Sequence, residues 1–301
     1  MSYAILPSTS KGRVPFSDGE TWYRITGDLS SGVTPLVVAH GGPGATHQYL
    51  LSLTAMAADR PVIHYDQLGC GNSTHLQDAD PSYWTVDLFL AELDNLLDHL
   101  GIADEYHLLG QSWGGMLSAE HAVRRPAGLR RLVISNSPAS MPLWLEAAGS
   151  LRAELPAEVE ATLRKHEEAE TTESPEYEAA MKVFYERHVC RVVPNPPEVA
   201  AAFASIDADP TVYHTMNGPS EFHVVGSLKD WTIVDRLPEI AVPTLVLSGA
   251  YDEARPVCVA PYAELIPGAR WEVFQESSHL PNVEEPERYV AVVETFLRGE
   301  A

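Results

Sequence analysis

The sequence predicts an α/β fold: a mostly parallel sheet flanked by helices on both faces and interrupted once by a helical insertion. Three observations carry this prediction. Short β-branched runs alternate with amphipathic helical stretches over the first 137 residues. The early runs end in glycine-rich loops, as buried parallel strands do where they turn toward the next helix. The alternation lapses between residues 138 and 238 and then resumes. At 301 residues the chain is long enough for one large domain with an inserted subdomain.

The elements follow in order. Pro35 to Ala39 is a strand that leads into His40-Gly41-Gly42-Pro43-Gly44, and Pro61 to Tyr65 is a second that leads into Asp66-Gln67-Leu68-Gly69-Cys70-Gly71. Thr85 to Leu100 reads as a helix, because Phe89, Leu93, Leu96, Leu97 and Leu100 recur at three- and four-residue spacing and Gly101 stands at a C-cap position. Tyr106 to Leu109 is the next strand, Gly110 to Gly115 a sharp turn, and Met116 to Arg124 a helix that stops before Pro126. Leu132 to Ser135 is another strand. Beyond the helix-rich, Glu/Ala/Pro-rich stretch, Thr244 to Ser248 and Trp271 to Phe274 are strands, and Val283 to Leu297 closes the chain as one helix with Tyr289, Val292, Val293, Phe296 and Leu297 on its apolar side. Residues 1–137 and 239–301 are therefore expected to form the core domain, and residues 138–238 a helical cap.

Composition narrows the function. A formal charge of -22 argues against nucleic acid and anionic membranes, which both call for basic patches. Much of the acidity lies in a run that includes Glu158, Glu160, Glu167, Glu168, Glu170 and Glu173, expected to be a solvated helix face. No apolar run approaches the roughly 18 residues of a membrane span. The N-terminal stretch lacks the basic start and apolar segment of a secretory signal, so the expected address is cytoplasmic. Cys70, Cys190 and Cys258 form neither a disulfide framework nor a metal-type spacing. No metal or cofactor is expected.

Gly110-Gln111-Ser112-Trp113-Gly114 fits the G-x-S-x-G nucleophile elbow of the α/β-hydrolase fold, with a strand before it and a helix after it. A turn this tight leaves no room for side chains two residues either side of Ser112. It also places the hydroxyl beside a helix N-terminus. A serine needs a base. His279 follows the last strand and is the preferred base, whereas His40 and His64 are expected to hydrogen-bond within loops. Asp252 follows the Thr244 to Ser248 strand and is the expected acid, with Asp66 as the runner-up and a loop organiser in its alternative role. The chain order Ser112, Asp252, His279 is the order of this fold. The oxyanion donors are expected to be the N–H of Trp113 and an N–H of the His40 to Gly44 loop, with Gly42 favoured.

The loop His40-Gly-Gly-Pro-Gly44, the segment Asp66-Gln-Leu-Gly-Cys-Gly-Asn-Ser73 and the elbow Gly110-Gln-Ser-Trp-Gly-Gly115, in this order, resemble the proline iminopeptidases. These are α/β-hydrolases with a helical cap that remove an N-terminal residue, preferentially proline, and they are grouped with amino-acid amidases. The resemblance runs from about residue 35 to the C-terminus. Met216-Asn-Gly-Pro-Ser-Glu-Phe222 looks like the family's cap motif, which assigns Glu221 to the substrate's α-amino group. Asp252-Glu253 looks like the family's acid followed by a second amine-binding glutamate, which assigns that role to Glu253. Carboxylates in a partly dry pocket bind an ammonium through charge-assisted hydrogen bonds. They also reject blocked amines, which would leave them unpaired.

Phe222, Tyr213, Trp113 and Trp231 are candidates for an apolar pocket around a proline ring, and equally for ordinary core packing. The expected activity is thus a serine aminopeptidase that acts through an acyl-enzyme on a small peptide or amino-acid amide with a free N-terminus. An amidase would share every catalytic residue. An esterase would have no use for Glu221 and Glu253, and a non-catalytic binding protein would have no use for the complete Ser–Asp–His set.

Overall fold

The computed structural model describes residues 4–300. Eight strands form one sheet in the order β1-β2-β4-β3-β5-β6-β7-β8. They are β1 (Ser10–Phe16), β2 (Gly19–Thr26), β3 (Leu36–Ala39), β4 (Val62–Asp66), β5 (Tyr106–Gln111), β6 (Leu129–Ser135), β7 (Thr244–Gly249) and β8 (Arg270–Phe274). From β4 to β8 all neighbours are parallel, and β1 and β2 add an antiparallel hairpin at one edge.

That hairpin goes beyond what the sequence suggests. In β3 through β5 every residue is buried, and most of those residues are apolar. In β1 and β2 exposed and buried positions mix, so no continuous apolar run marks them.

The core helices obey local rules. α1 (Val86–His99) starts at Thr85, whose hydroxyl accepts from the Leu88 N–H, and ends before Gly101 in the left-handed region at φ 66°. Such an N-cap contributes about 1 kcal/mol. α2 (Trp113–Val123) follows β5 directly and is buried along its whole length. At the C-terminus the single expected helix is two: α9 (Pro281–Glu284) and α10 (Pro286–Arg298). Pro286 causes the break, because it lacks an N–H and forces Glu285 off the helical conformation, to φ -129° and ψ 54°.

Between β6 and β7 the chain leaves the sheet for five helices: α3 (Met141–Arg152), α4 (Ala157–Glu168), α5 (Pro175–His188), α6 (Pro197–Ala208) and α7 (Thr211–Met216). The chain then returns to the sheet at β7, and α8 (Pro256–Leu265) connects β7 to β8. The inserted helices carry their own apolar cluster, including Leu151, Leu163, Tyr177, Phe184 and Phe222. The acidic run is more than a solvated face. Arg152, whose guanidinium lies 5.0 Å from the Phe222 ring centre, reaches Glu160 at 2.8 Å and Glu167 at 2.9 Å. Glu158, Glu168, Glu170 and Glu173 are exposed, as expected. No helix among the described residues is long and apolar enough to cross a membrane.

Candidate active site

Because β3, β5, β6 and β7 are parallel neighbours, their C-terminal ends share one edge of the sheet. His40, Ser112, Asn136 and Asp252 all follow at that edge, and His279 follows β8. Crevices outside the carboxyl ends of such strands are where this class of sheet places its ligands.

Ser112 sits at φ 57° and ψ -124°, between the end of β5 and the first residue of α2. A backbone of this kind costs on the order of 1–3 kcal/mol and persists only where the surroundings impose it. Here they do so by close packing. A Cβ at Gly110 would lie 1.9 Å from the Gly114 carbonyl oxygen, and one at Gly114 would lie 2.1 Å from that of Ala39. Only glycine allows β3, β5 and α2 to approach this closely.

His279 is buried, and its Nδ1 is 2.7 Å from Asp252 Oδ1. Asp252 is held on both oxygens: the Ala254 N–H donates to Oδ1 at 2.8 Å and Asn136 Nδ2 donates to Oδ2 at 2.6 Å. Burial alone would lower the His279 pKa, but the charge and hydrogen bond of Asp252, together with Glu221, outweigh it and the net shift is upward. Ser112 and His279 line one cavity of about 440 Å³, with no hydrogen bond from Ser112 Oγ among the described residues. Catalytic hydrogen bonds are often long before substrate binds.

The competing candidates are occupied elsewhere. Asp66 accepts from the backbone and ring of His47 and from the backbone and side chain of Asn72, so it organises its loop. Burial opposes its ionisation, but His47 outweighs burial and holds the Asp66 pKa at about 2. His64 Nε2 lies 3.1 Å from the Leu50 carbonyl, and burial lowers its pKa to about 3. His40 accepts the Gln67 N–H on Nε2 at 3.0 Å, so its proton sits on Nδ1 and is donated to the Gly41 carbonyl at 2.9 Å. Burial lowers its pKa to about 4.

That His40 contact orients the Gly41–Gly42 peptide. The Gly41 carbonyl also accepts the Ala45 N–H at 3.3 Å, and in a trans peptide the Gly42 N–H points the opposite way. The Gly42 and Trp113 N–H groups donate to no acceptor among the described residues, and both residues border a smaller cavity of about 280 Å³ that Ser112 also lines. Two free donors beside one nucleophile can stabilise an oxyanion.

Glu221 lines both cavities and is clamped by three cap helices. Tyr213 of α7 donates to its Oε1 at 2.7 Å, Trp144 of α3 donates to its carbonyl at 2.6 Å, and Tyr185 of α5 accepts its N–H at 3.3 Å. Burial raises its pKa, against the opposing Tyr213 bond and His279 charge. Glu253 is buried 3.8 Å from His279 Nε2, and neither of its carboxylate oxygens has a hydrogen-bond partner among the described residues. Burial first, then Glu221 and Asp252, push its pKa well above the carboxylate range. A buried carboxylate without a donor is costly, and of the two only Glu253 is left without one.

The aromatic candidates separate. Trp113 borders the smaller cavity, and Tyr213 acts through Glu221. Phe222 packs instead in the cap's core, 4.8 Å from the ring centre of Phe184. Trp231 turns to α2 and donates to Glu120 at 3.0 Å. An aromatic in the sequence does not reveal which side of its backbone faces the cavity. The smaller cavity is walled instead by Trp144, Met141, Met116 and Leu228, none of which stands in a recognisable motif. Asn136, which supports Asp252, was also missed; its signal was an Asn directly after a buried strand, in the left-handed region at φ 50°.

The α/β-hydrolase fold family matches residues 34–286. The chain is 40% identical over 275 residues to the proline iminopeptidase of Heyndrickxia coagulans, spanning 90% of this chain and 93% of that one. Among solved structures, VinJ superposes with a TM-score of 0.96 at 57% identity, over 98% of this chain and 100% of the other. The proline iminopeptidase of Mycobacterium smegmatis superposes with a TM-score of 0.89 at 53% identity, over 96% of this chain and 98% of the other.

Proposed function

The chain belongs to the α/β-hydrolase fold family and, within it, to the proline iminopeptidases, and we propose that it is a serine aminopeptidase that releases an N-terminal residue, preferably proline, from small peptides or amides. The observation that carries this reading is a pair of buried carboxylates, one in the Ser112 cavity and the other beside His279. Glu221 lines the cavity, and Glu253 is buried with both oxygens unpartnered 3.8 Å from His279 Nε2. An esterase has no use for such a pair, whereas an exopeptidase must hold an ammonium next to the scissile carbonyl.

The substrate's ammonium docks on Glu221, with Glu253 as the second carboxylate, and its acyl portion enters the smaller cavity. His279 Nε2 takes the Ser112 proton as Oγ attacks the carbonyl carbon. The oxyanion rests on the Gly42 and Trp113 N–H groups. Asp252 holds the imidazole by Nδ1 and stabilises the imidazolium. The C–N bond then breaks, and His279 gives its proton to the leaving nitrogen. Water, deprotonated by the same imidazole, hydrolyses the acyl-enzyme. Residues 138–238 serve as the cap, which supplies Glu221 and roofs the site.

The test is the rate on prolyl, alanyl and N-acetyl-prolyl anilides and on a short acyl ester. Cleavage of the free-amine anilides, with prolyl ahead of alanyl and the N-acetyl compound inert, supports the reading. Ester cleavage indifferent to a free amine would overturn it.

The acid limb of the pH profile offers a second check. His279 must be neutral to act as base, and the Glu221 charge helps to hold its pKa up. Glu221→Gln should therefore move the acid limb of kcat/KM to lower pH as well as raise KM for free-amine substrates. An unmoved limb would show that Glu221 does not act on His279.

A further inference from the structure

Three hydrogen bonds form a chain across the floor of the larger cavity. The Gly41 N–H donates to Tyr49 Oη at 2.7 Å. Tyr49 Oη donates to Gln111 Oε1 at 2.5 Å. Gln111 Nε2 donates to the His279 carbonyl at 3.1 Å. A fourth bond closes a ring on the same loop: Asn282 Nδ2 donates to the Tyr49 carbonyl at 2.7 Å. Tyr49 and Gln111 are both buried.

The donors and acceptors leave little freedom. Gly41 offers one N–H, so the Tyr49 hydroxyl must accept there and donate its only proton onward. That fixes the Gln111 amide with its oxygen toward Tyr49 and its NH₂ toward His279. The three groups converge on Gly41, where a Cβ would lie 2.9 Å from both Tyr49 Oη and Ser112 Cβ. The bond to Tyr49 also commits the Gly41 N–H, so the donor left to face the cavity is that of Gly42.

We infer that Tyr49 and Gln111 are positioning residues that lock the oxyanion loop to the backbone of the catalytic base. This rests on the serine-hydrolase reading above and goes beyond it by assigning a function to the Gln111 side chain of the elbow and to a tyrosine outside every motif. The strap sets the position of the Gly42 N–H relative to His279 through hydrogen bonds to backbone groups on both sides. Displacing reacting groups by about 1 Å costs about a hundredfold in rate.

Tyr49→Phe keeps the ring and removes only the hydroxyl. Turnover of a prolyl anilide by this variant should fall by about tenfold to a hundredfold in kcat, with KM and the acid-limb pKa unchanged. Affinity for a free-amine prolyl boronic acid, whose tetrahedral adduct places an oxygen where the oxyanion forms, should fall in step. Gln111→Leu should reproduce the effect, and the double variant should be little worse than either single one, because both break one chain. Should Tyr49→Phe fail to fold, Gln111→Leu carries the same test. Wild-type kcat and boronate affinity in a folded single variant would overturn the inference, as would a loss confined to KM or two fully additive effects. A wild-type protein that neither cleaves the anilide nor captures the boronate would instead strike the proposed function, and the strap with it.

Discussion

Ser112→Ala should abolish turnover, with kcat falling by at least about 10⁴-fold, while the protein stays folded. The two halves of this expectation have separate causes. Removal of the hydroxyl leaves His279 and the two free N–H donors with no atom to activate, and members of a catalytic unit do not substitute for one another. Stability, in contrast, should change by less than about 1 kcal/mol, because Ser112 Oγ makes no hydrogen bond among the described residues and alanine keeps the Cβ. The strained backbone at φ 57° is common to both side chains. Ser112→Gly should also be inactive but more stable by about 1 kcal/mol, since glycine adopts that conformation without penalty. Anilide turnover and thermal melts measure both quantities. Near-normal turnover by the alanine variant would rule out Ser112 as nucleophile.

Glu253→Gln should trade activity for stability. The wild-type carboxyl is buried, has no donor on either oxygen and interacts unfavourably with Glu221 and Asp252. Its pKa in the folded protein is therefore raised above the unfolded value. A group of this kind favours the fold fully below its unfolded pKa, and that contribution drains away as the pH rises toward its folded pKa. Wild-type stability should thus fall from about pH 5 upward by an amount the glutamine variant escapes, so the variant should melt higher at pH 8 and nearly alike at pH 5. In the proposed function a bound ammonium relieves the wild-type carboxyl. Hence kcat/KM on free-amine substrates should fall in the variant by about tenfold to a hundredfold, the worth of one charge-assisted hydrogen bond. A variant less stable at pH 8, with unaltered free-amine activity, would make Glu253 a structural residue.

Together these variants separate the parts of the site. Ser112→Ala removes chemistry without touching recognition, and Glu253→Gln removes recognition while leaving Ser112 and its base in place. A free-amine ligand should raise the melting temperature of Ser112→Ala as much as that of the wild-type, and that of Glu253→Gln less.

Much of this protein is legible in its sequence, and the legible parts share a property. The central strands β3, β4, β5 and β7 are buried at every position, so burial writes itself into residue type. The elbow glycines at 110 and 114 are legible because no other residue fits within 1.9 and 2.1 Å of a carbonyl oxygen. Chain order then suffices to rank Ser112, Asp252 and His279 above the other serines, acids and histidines, and the order of three motifs suffices to place the chain in its family. The β1–β2 hairpin is not legible, because its exposed and buried positions mix and carry no continuous apolar signal. The break at Pro286 escaped because the apolar period continues through it.

What only the tertiary structure decides is where side chains meet across elements. The sequence could name Glu221 and Glu253 by resemblance. It could not reveal that one is clamped by three cap helices while the other is left without a donor. Phe222 and Trp231 are as aromatic as Trp144, yet only Trp144 of the three borders a cavity that Ser112 also lines. Tyr49, Gln111 and Asn136 lie in no shared pattern, and their work depends on partners up to 233 residues away in the chain. Local sequence determines conformation and burial because those depend on near neighbours and water. The direction of a hydrogen bond or the absence of a partner depends on which distant atoms the closed fold brings within 3 Å, and no local pattern encodes that.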